Sequence, residues 1–138
     1  MSSALKKFIS HIKNHCKEHN TKLHLSPWKS IRVLTDEDDE DCDEWENIEG
    51  YFVVPSRKKK GQIKVATGVS MSSWVHALAH EYAHFEYWIK HKKFRKNFFI
   101  EEKLTEKRAL ELLKEWKIPI NIQERRKESR KYLKSLKD

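Results

Sequence analysis

An α+β fold is predicted for this chain by three observations: an amphipathic stretch at its start, strand-length apolar or alternating runs between positions 30 and 66, and two long helical patterns after them. The first of those patterns contains His80-Glu81-Tyr82-Ala83-His84 and the second carries several glutamates. The expected architecture is a small sheet of three strands, or slightly more, packed against the histidine helix and the glutamate helix. An N-terminal amphipathic helix and a basic C-terminal helix complete it.

Taken in order, Leu5, Phe8, Ile9, Ile12 and Cys16 recur at helical spacing and predict a helix from Ser3 to about His19. Residues 22–27 read as a connector and 30–34 as a short strand. Tyr51-Phe52-Val53-Val54 predicts a strand stopped by Pro55. A basic loop over 56–61 then joins it to Gln62-Ile63-Lys64-Val65-Ala66, whose alternation suits a half-buried strand ending at Gly68. If that strand forms the sheet edge, a peptide could pair with its backbone. The histidine helix should run from Ser72 to about His91, with Ser72 or Ser73 as its cap and Leu78, Tyr82, Phe85 and Ile89 facing the core. Phe94, Phe98 and Phe99 read as packing residues in the basic stretch that follows. The glutamate helix should span 100 or 101 to Trp116, ended near Pro119. Ile118, Ile120 and Ile122 suggest a short extended piece, and Gln123–Lys137 a basic helix anchored by Tyr132, Leu133 and Leu136.

A chain of 138 residues fits one domain, here expected over 1–120 with a basic tail over 121–138. The formal charge is +8, yet residues 35–49 hold ten acidic side chains and no Lys or Arg, so the other 123 residues carry +18. Such a body could attract nucleic acid weakly and in a salt-dependent way, while the acidic loop is expected to be a solvated segment. No apolar run is long enough to cross a membrane, and the first residues lack the apolar core of a signal peptide, so an intracellular location is expected. Cys16 and Cys42 form no ligand pattern and are expected as free thiols. Any metal chemistry must therefore come from histidine and carboxylate.

The pentad fits an HExxH metal helix. Residues four apart stand nearly above one another on a helix, so His80 and His84 can converge on one ion. Glu81, turned about 100° from His80, comes out beside the ion, where a base is needed to take a proton from water. For the third ligand, Glu101, Glu102 and Glu106 compete. Glu101 is rotated toward Arg108. Glu106 shares a packed face with Ala109 and Leu113 and is preferred; Glu102, nearer the start of the helix, is the alternative, with Glu106 then supporting a histidine. His76 and Tyr87 are candidate oxyanion donors, with His91 a weaker one.

His80-Glu81-Tyr82-Ala83-His84, followed by Glu106, Ala109, Leu112-Leu113 and Pro119, resembles the compact gluzincin metallopeptidases of the ImmA/IrrE type over roughly residues 3–120. The chain departs from that pattern at Leu110, where many members carry Asn or Asp. The resemblance implies Zn²⁺ held by His80, His84 and Glu106, with Glu81 as the catalytic base of an endopeptidase. It also implies a protein or peptide substrate, in such families usually a regulatory protein. SprT-like proteases acting on DNA-associated proteins are a neighbouring alternative, as is a non-catalytic regulatory or nucleic-acid-binding module that retains zinc. The longer HExxHxxGxxH pattern would need Gly at 87 and His at 90, where Tyr87 and Lys90 stand.

Overall fold

The structure, a computed structural model, describes residues 1–34 and 45–137. The expected free thiol Cys42 and most of the acidic loop lie outside the described residues. Helix α1 (Ser3–Glu18) starts where the Ser2 hydroxyl accepts the Leu5 amide hydrogen, and it buries Leu5, Phe8, Ile12 and Cys16 along one face. Burial pushes the Cys16 thiol up to about 12, so it is protonated near neutral pH.

Five strands follow: β1 (Thr21–Ser26), β2 (Ile31–Leu34), β3 (Trp45–Ile48), β4 (Gly50–Val53) and β5 (Gly61–Ala66). A three-stranded sheet has the order β1-β5-β4, with β1 parallel and β4 antiparallel to β5; β2 and β3 form a separate antiparallel hairpin. Two expectations are corrected here. The presumed connector at 22–27 is mostly strand β1, because Leu23 and Leu25 alternate with polar residues and sit opposite Ile63 and Val65. With β1 on one side and β4 on the other, β5 is the central strand. The edges are β1 and β4, and β4 packs on α2.

Helix α2 (Met71–His91) is capped by Ser70, two residues earlier than the expected Ser72, and stops at Lys92, whose φ of 57° is left-handed. Trp74, Val75, Leu78, Ala79, Tyr82, Ala83 and Phe85 are buried on it. They meet Ile63 and Val65 of β5 and the apolar face of α1 in one core. Burying a Leu or Phe side chain of this kind stabilises by about 1.5–3 kcal/mol, so α2 is fixed in position and in rotation.

Helix α3 (Phe98–Glu115), capped by Asn97, packs along α2 and adds Ala109, Leu112 and Leu113 to the core. The isoleucines at 118–122 do not form an extended piece. Lys117 takes a left-handed φ of 54° and the Ile118 amide closes onto Leu113 O, so the chain turns directly into α4 (Ile122–Ser135), capped by Asn121. The basic α4 packs on α3 and buries Arg125 and Ser129, a firmer docking than its three apolar anchors suggest. Among the described residues, no helix is long and apolar enough to cross a membrane.

Candidate metal centre

His80, Glu81 and His84 of α2 each offer a ligand atom within 4.8 Å of the others, a group able to hold a metal ion. The two imidazoles meet through their Nε2 atoms, 3.1 Å apart. Glu102 joins them from α3: its Oε2 lies 2.8 Å from His84 Nε2 and its Oε1 lies 3.5 Å from His80 Nε2. A tetrahedral ion with bonds near 2.0–2.1 Å sets its ligand atoms about 3.3 Å apart. The three separations among His80, His84 and Glu102 lie close to that spacing.

The other nitrogen of each ring is held by its own carboxylate. His80 Nδ1 is 2.6 Å from Glu106 Oε2, and His84 Nδ1 is 2.8 Å from Glu101 Oε2. Glu106, expected at the ion, thus stands behind His80, and Glu102 occupies the converging side. Glu101, expected to turn toward Arg108, instead receives hydrogen bonds from the Arg95 amide and guanidinium and from the Thr105 hydroxyl. Arg108 pairs with Glu86 and Glu115. The reason is local: α3 begins alongside His84, so its first-turn carboxylate reaches that ring while Arg108 is carried two turns away.

Electrostatics follow from burial and these contacts. Burial raises the Glu81 carboxyl above the ordinary range, opposed by the neighbouring His80 and His84. Glu81 Oε2 is buried without a hydrogen-bond partner. At His80 burial works against the charged ring, but the hydrogen bonds with Glu102 and Glu106 outweigh it and carry the metal-free group up to about 10. Glu102 and Glu106 stay well below the usual carboxylate range, since their bonds to the histidines outweigh their own burial.

The remaining candidates part company. His76 is buried one turn before His80 and puts Nε2 3.2 Å from Glu106 Oε1, without hydrogen-bond alignment. Tyr87 lines neither cleft beside the metal group; its ring lies 4.2 Å from that of His91 and under the Arg95 guanidinium. Tyr132 of α4 lies beside the metal group instead: its hydroxyl donates to Glu102 Oε1 and its ring stands edge-on to His80. Arg125, Tyr132 and Leu136 recur at helical spacing, and it is the docking of α4 that turns this face toward one cleft.

That cleft, about 810 Å³, is lined by the metal group, by Ser73 near the start of α2, by α4 and by residues 46–50 at the end of β3 and start of β4. A second hollow of about 480 Å³ opens beyond His84, lined by Phe52, Phe94 and Phe98 with Arg95 and Lys96. Gly50, Glu81 and Glu102 line both. At Gly50 a Cβ would come 2.8 Å from Lys64 O, so glycine lets β4 lie this close to β5; toward the metal helix the same Cβ would meet Glu81 Cγ at an ordinary 3.5 Å. No family model, curated protein or solved structure matches the chain. What the structure itself supports is the His80-Glu81-His84 group on α2, able to hold a metal ion.

Proposed function

We propose that this protein is a zinc-dependent endopeptidase acting on a protein or peptide, with His80, His84 and Glu102 as ligands and Glu81 as the base. The observation that carries this reading is the paired arrangement of the two imidazoles. Their Nε2 atoms converge with Glu102 while Glu106 and Glu101 fix both Nδ1 atoms. Imidazole and carboxylate donors in this number suit zinc with a position left open for chemistry. Zinc held there would supply Lewis acidity, polarising a peptide carbonyl and making an attacking water more acidic.

The chain's own groups provide the rest. Glu81, buried and raised in pKa, takes a proton from the attacking water and passes it to the departing amine. Tyr132, whose hydroxyl lies beside the metal group on Glu102, would turn that hydroxyl to the developing oxyanion, a role the sequence offers to His76 and Tyr87. His76 instead backs Glu106. Substrate is held by β4. The Glu49–Ala66 bond places Tyr51 and Val53 in the hydrogen-bonded pairs with β5, so the backbone groups of Gly50 and Phe52 point to the open side beside the metal group. A regulatory protein is the substrate class that the ImmA/IrrE likeness favours.

Glu81→Gln tests the mechanism: hydrolysis of a peptide pool should fall by about 10²–10⁴ with zinc content unchanged. Turnover close to the parent level would remove Glu81 from the chemistry.

A further inference from the structure

One cation in the 810 Å³ cleft plays no part in the metal group. Arg125 of α4 lines the cleft wall, its side chain is only 8% exposed, and its Nε is buried with no hydrogen-bond partner. Among the described residues its recorded ion pair is with Glu124, through Nη2 at 2.9 Å, and that carboxylate is 54% exposed. A buried guanidinium with unused donors is costly unless something meets it. Ser73 of the first turn of α2 also lines this cleft, but its amide is already bonded to the capping Ser70, so Arg125 is the group with unused donors.

Its distance from the chemistry follows from α4: Arg125 precedes Tyr132, which bonds to Glu102, by seven residues, roughly 10 Å along the helix axis. An extended peptide covers that distance in about three residues. The exposed rim carboxylates Glu46, Glu49 and Glu128 also line this cleft. Water and salt screen them, whereas the buried guanidinium is screened little.

We infer that Arg125 forms a carboxylate subsite, so that the cleft selects peptides bearing a carboxylate about three residues from the bond at the metal. The inference rests on the reading of the cleft as a peptide site, but not on hydrolysis. The carboxylate can be an Asp or Glu side chain or the chain's own C-terminus, and the planar guanidinium can grip either through two parallel hydrogen bonds.

The test uses the full chain carrying Glu81→Gln, loaded with zinc, and fluorescent short peptide pools read by anisotropy. Pools carry Glu or Gln at one fixed position and end in a free or an amidated C-terminus. Carboxylate-bearing pools should bind at least about tenfold tighter than the neutral pool, and Arg125→Gln should erase most of that preference. Tight binding confined to Glu pools marks a side-chain reader; binding confined to free C-termini marks a C-terminal reader. Equal binding by all pools, or a preference that survives in Arg125→Gln, overturns the subsite. If Arg125→Gln does not fold, Arg125→Lys serves: it keeps the charge, loses the fork and should weaken the preference, and an unchanged preference again overturns it. Hydrolysis of the same pools by the wild-type protein is read separately, so absence of cleavage with the preference intact would count against the peptidase and not against Arg125.

Discussion

His80 and His84 on α2 and His11 and His15 on α1 have the same spacing, and Tyr82 faces the second pair from the helix that carries the first. The outcomes differ. On α2 the ring centroids are 4.8 Å apart and the Nε2 atoms meet, because Glu106 and Glu101 hold the Nδ1 atoms from behind. On α1 the centroids are 6.1 Å apart, and the Tyr82 hydroxyl is shared between His15 Nδ1 at 2.7 Å and His11 Nε2 at 3.0 Å. Burial, with His19 and His11 nearby, lowers the pKa of His15. Helical spacing thus makes two imidazoles neighbours in both places. Carboxylates from a crossing helix decide which nitrogens converge, and so make one pair a group able to hold a metal ion while the other shares the Tyr82 hydroxyl.

The sharpest way to break this comparison is to exchange one histidine from each pair. His84→Ala should lose most bound zinc and lower stability, since metal binding contributes to folding, whereas His15→Ala should keep about one equivalent by elemental analysis. Equal zinc loss would make the α1 pair a metal site too. A smaller effect is expected from the carboxylates behind the rings. Glu101→Gln should weaken zinc affinity by about 10–100-fold in a chelator competition, without emptying the site at saturating zinc. An unchanged affinity would mean that His84 needs no such support.

The metal-stripped protein should show its own pH profile in thermal unfolding. The raised His80 contributes stability that is fully present below its unfolded value of 6.5 and is lost as pH rises through about 10. Glu81, also raised, acts in the same direction. The depressed Glu102 and Glu106 contribute stability present above 4.5 and lost as pH falls toward their lower folded values. Stability should therefore be greatest in mildly acidic solution, and zinc should remove the alkaline decline by taking the place of the proton. An alkaline decline that persists with zinc bound would point away from His80. The smallest effect is expected at the α1 pair, where Tyr82→Phe removes one shared hydroxyl and should cost about 0.5–1.5 kcal/mol with zinc affinity unchanged. A matching loss of zinc would couple the two pairs.

The parts legible in the sequence were those set by local periodicity. The four helices, the strands at 31–34, 50–53 and 61–66, and the convergence of His80 with His84 need no knowledge of tertiary contacts. The rest depended on how elements cross. Glu102 and Glu106 share a helix face, and only the position of α3 against α2 decides which of them meets the Nε2 atoms. Glu101 looked misdirected on a helical wheel, yet α3 starts close enough for it to reach His84. β1 was missed because two leucines among polar residues make a weak strand signal until β5 lies beside them. Tyr132 was read as a packing anchor because nothing local reveals that α4 walls the cleft.

The central claim, that carboxylate placement makes the metal group, is tested most directly by measuring bound zinc in purified, folded Glu102→Ala and Glu106→Ala proteins side by side. Glu102→Ala should lose most of its zinc, because Glu102 sits with the converging nitrogens, while Glu106→Ala should keep about one equivalent at lower affinity. The reverse pattern, an empty Glu106→Ala protein beside a fully loaded Glu102→Ala protein, would contradict the account and return the third ligand to Glu106.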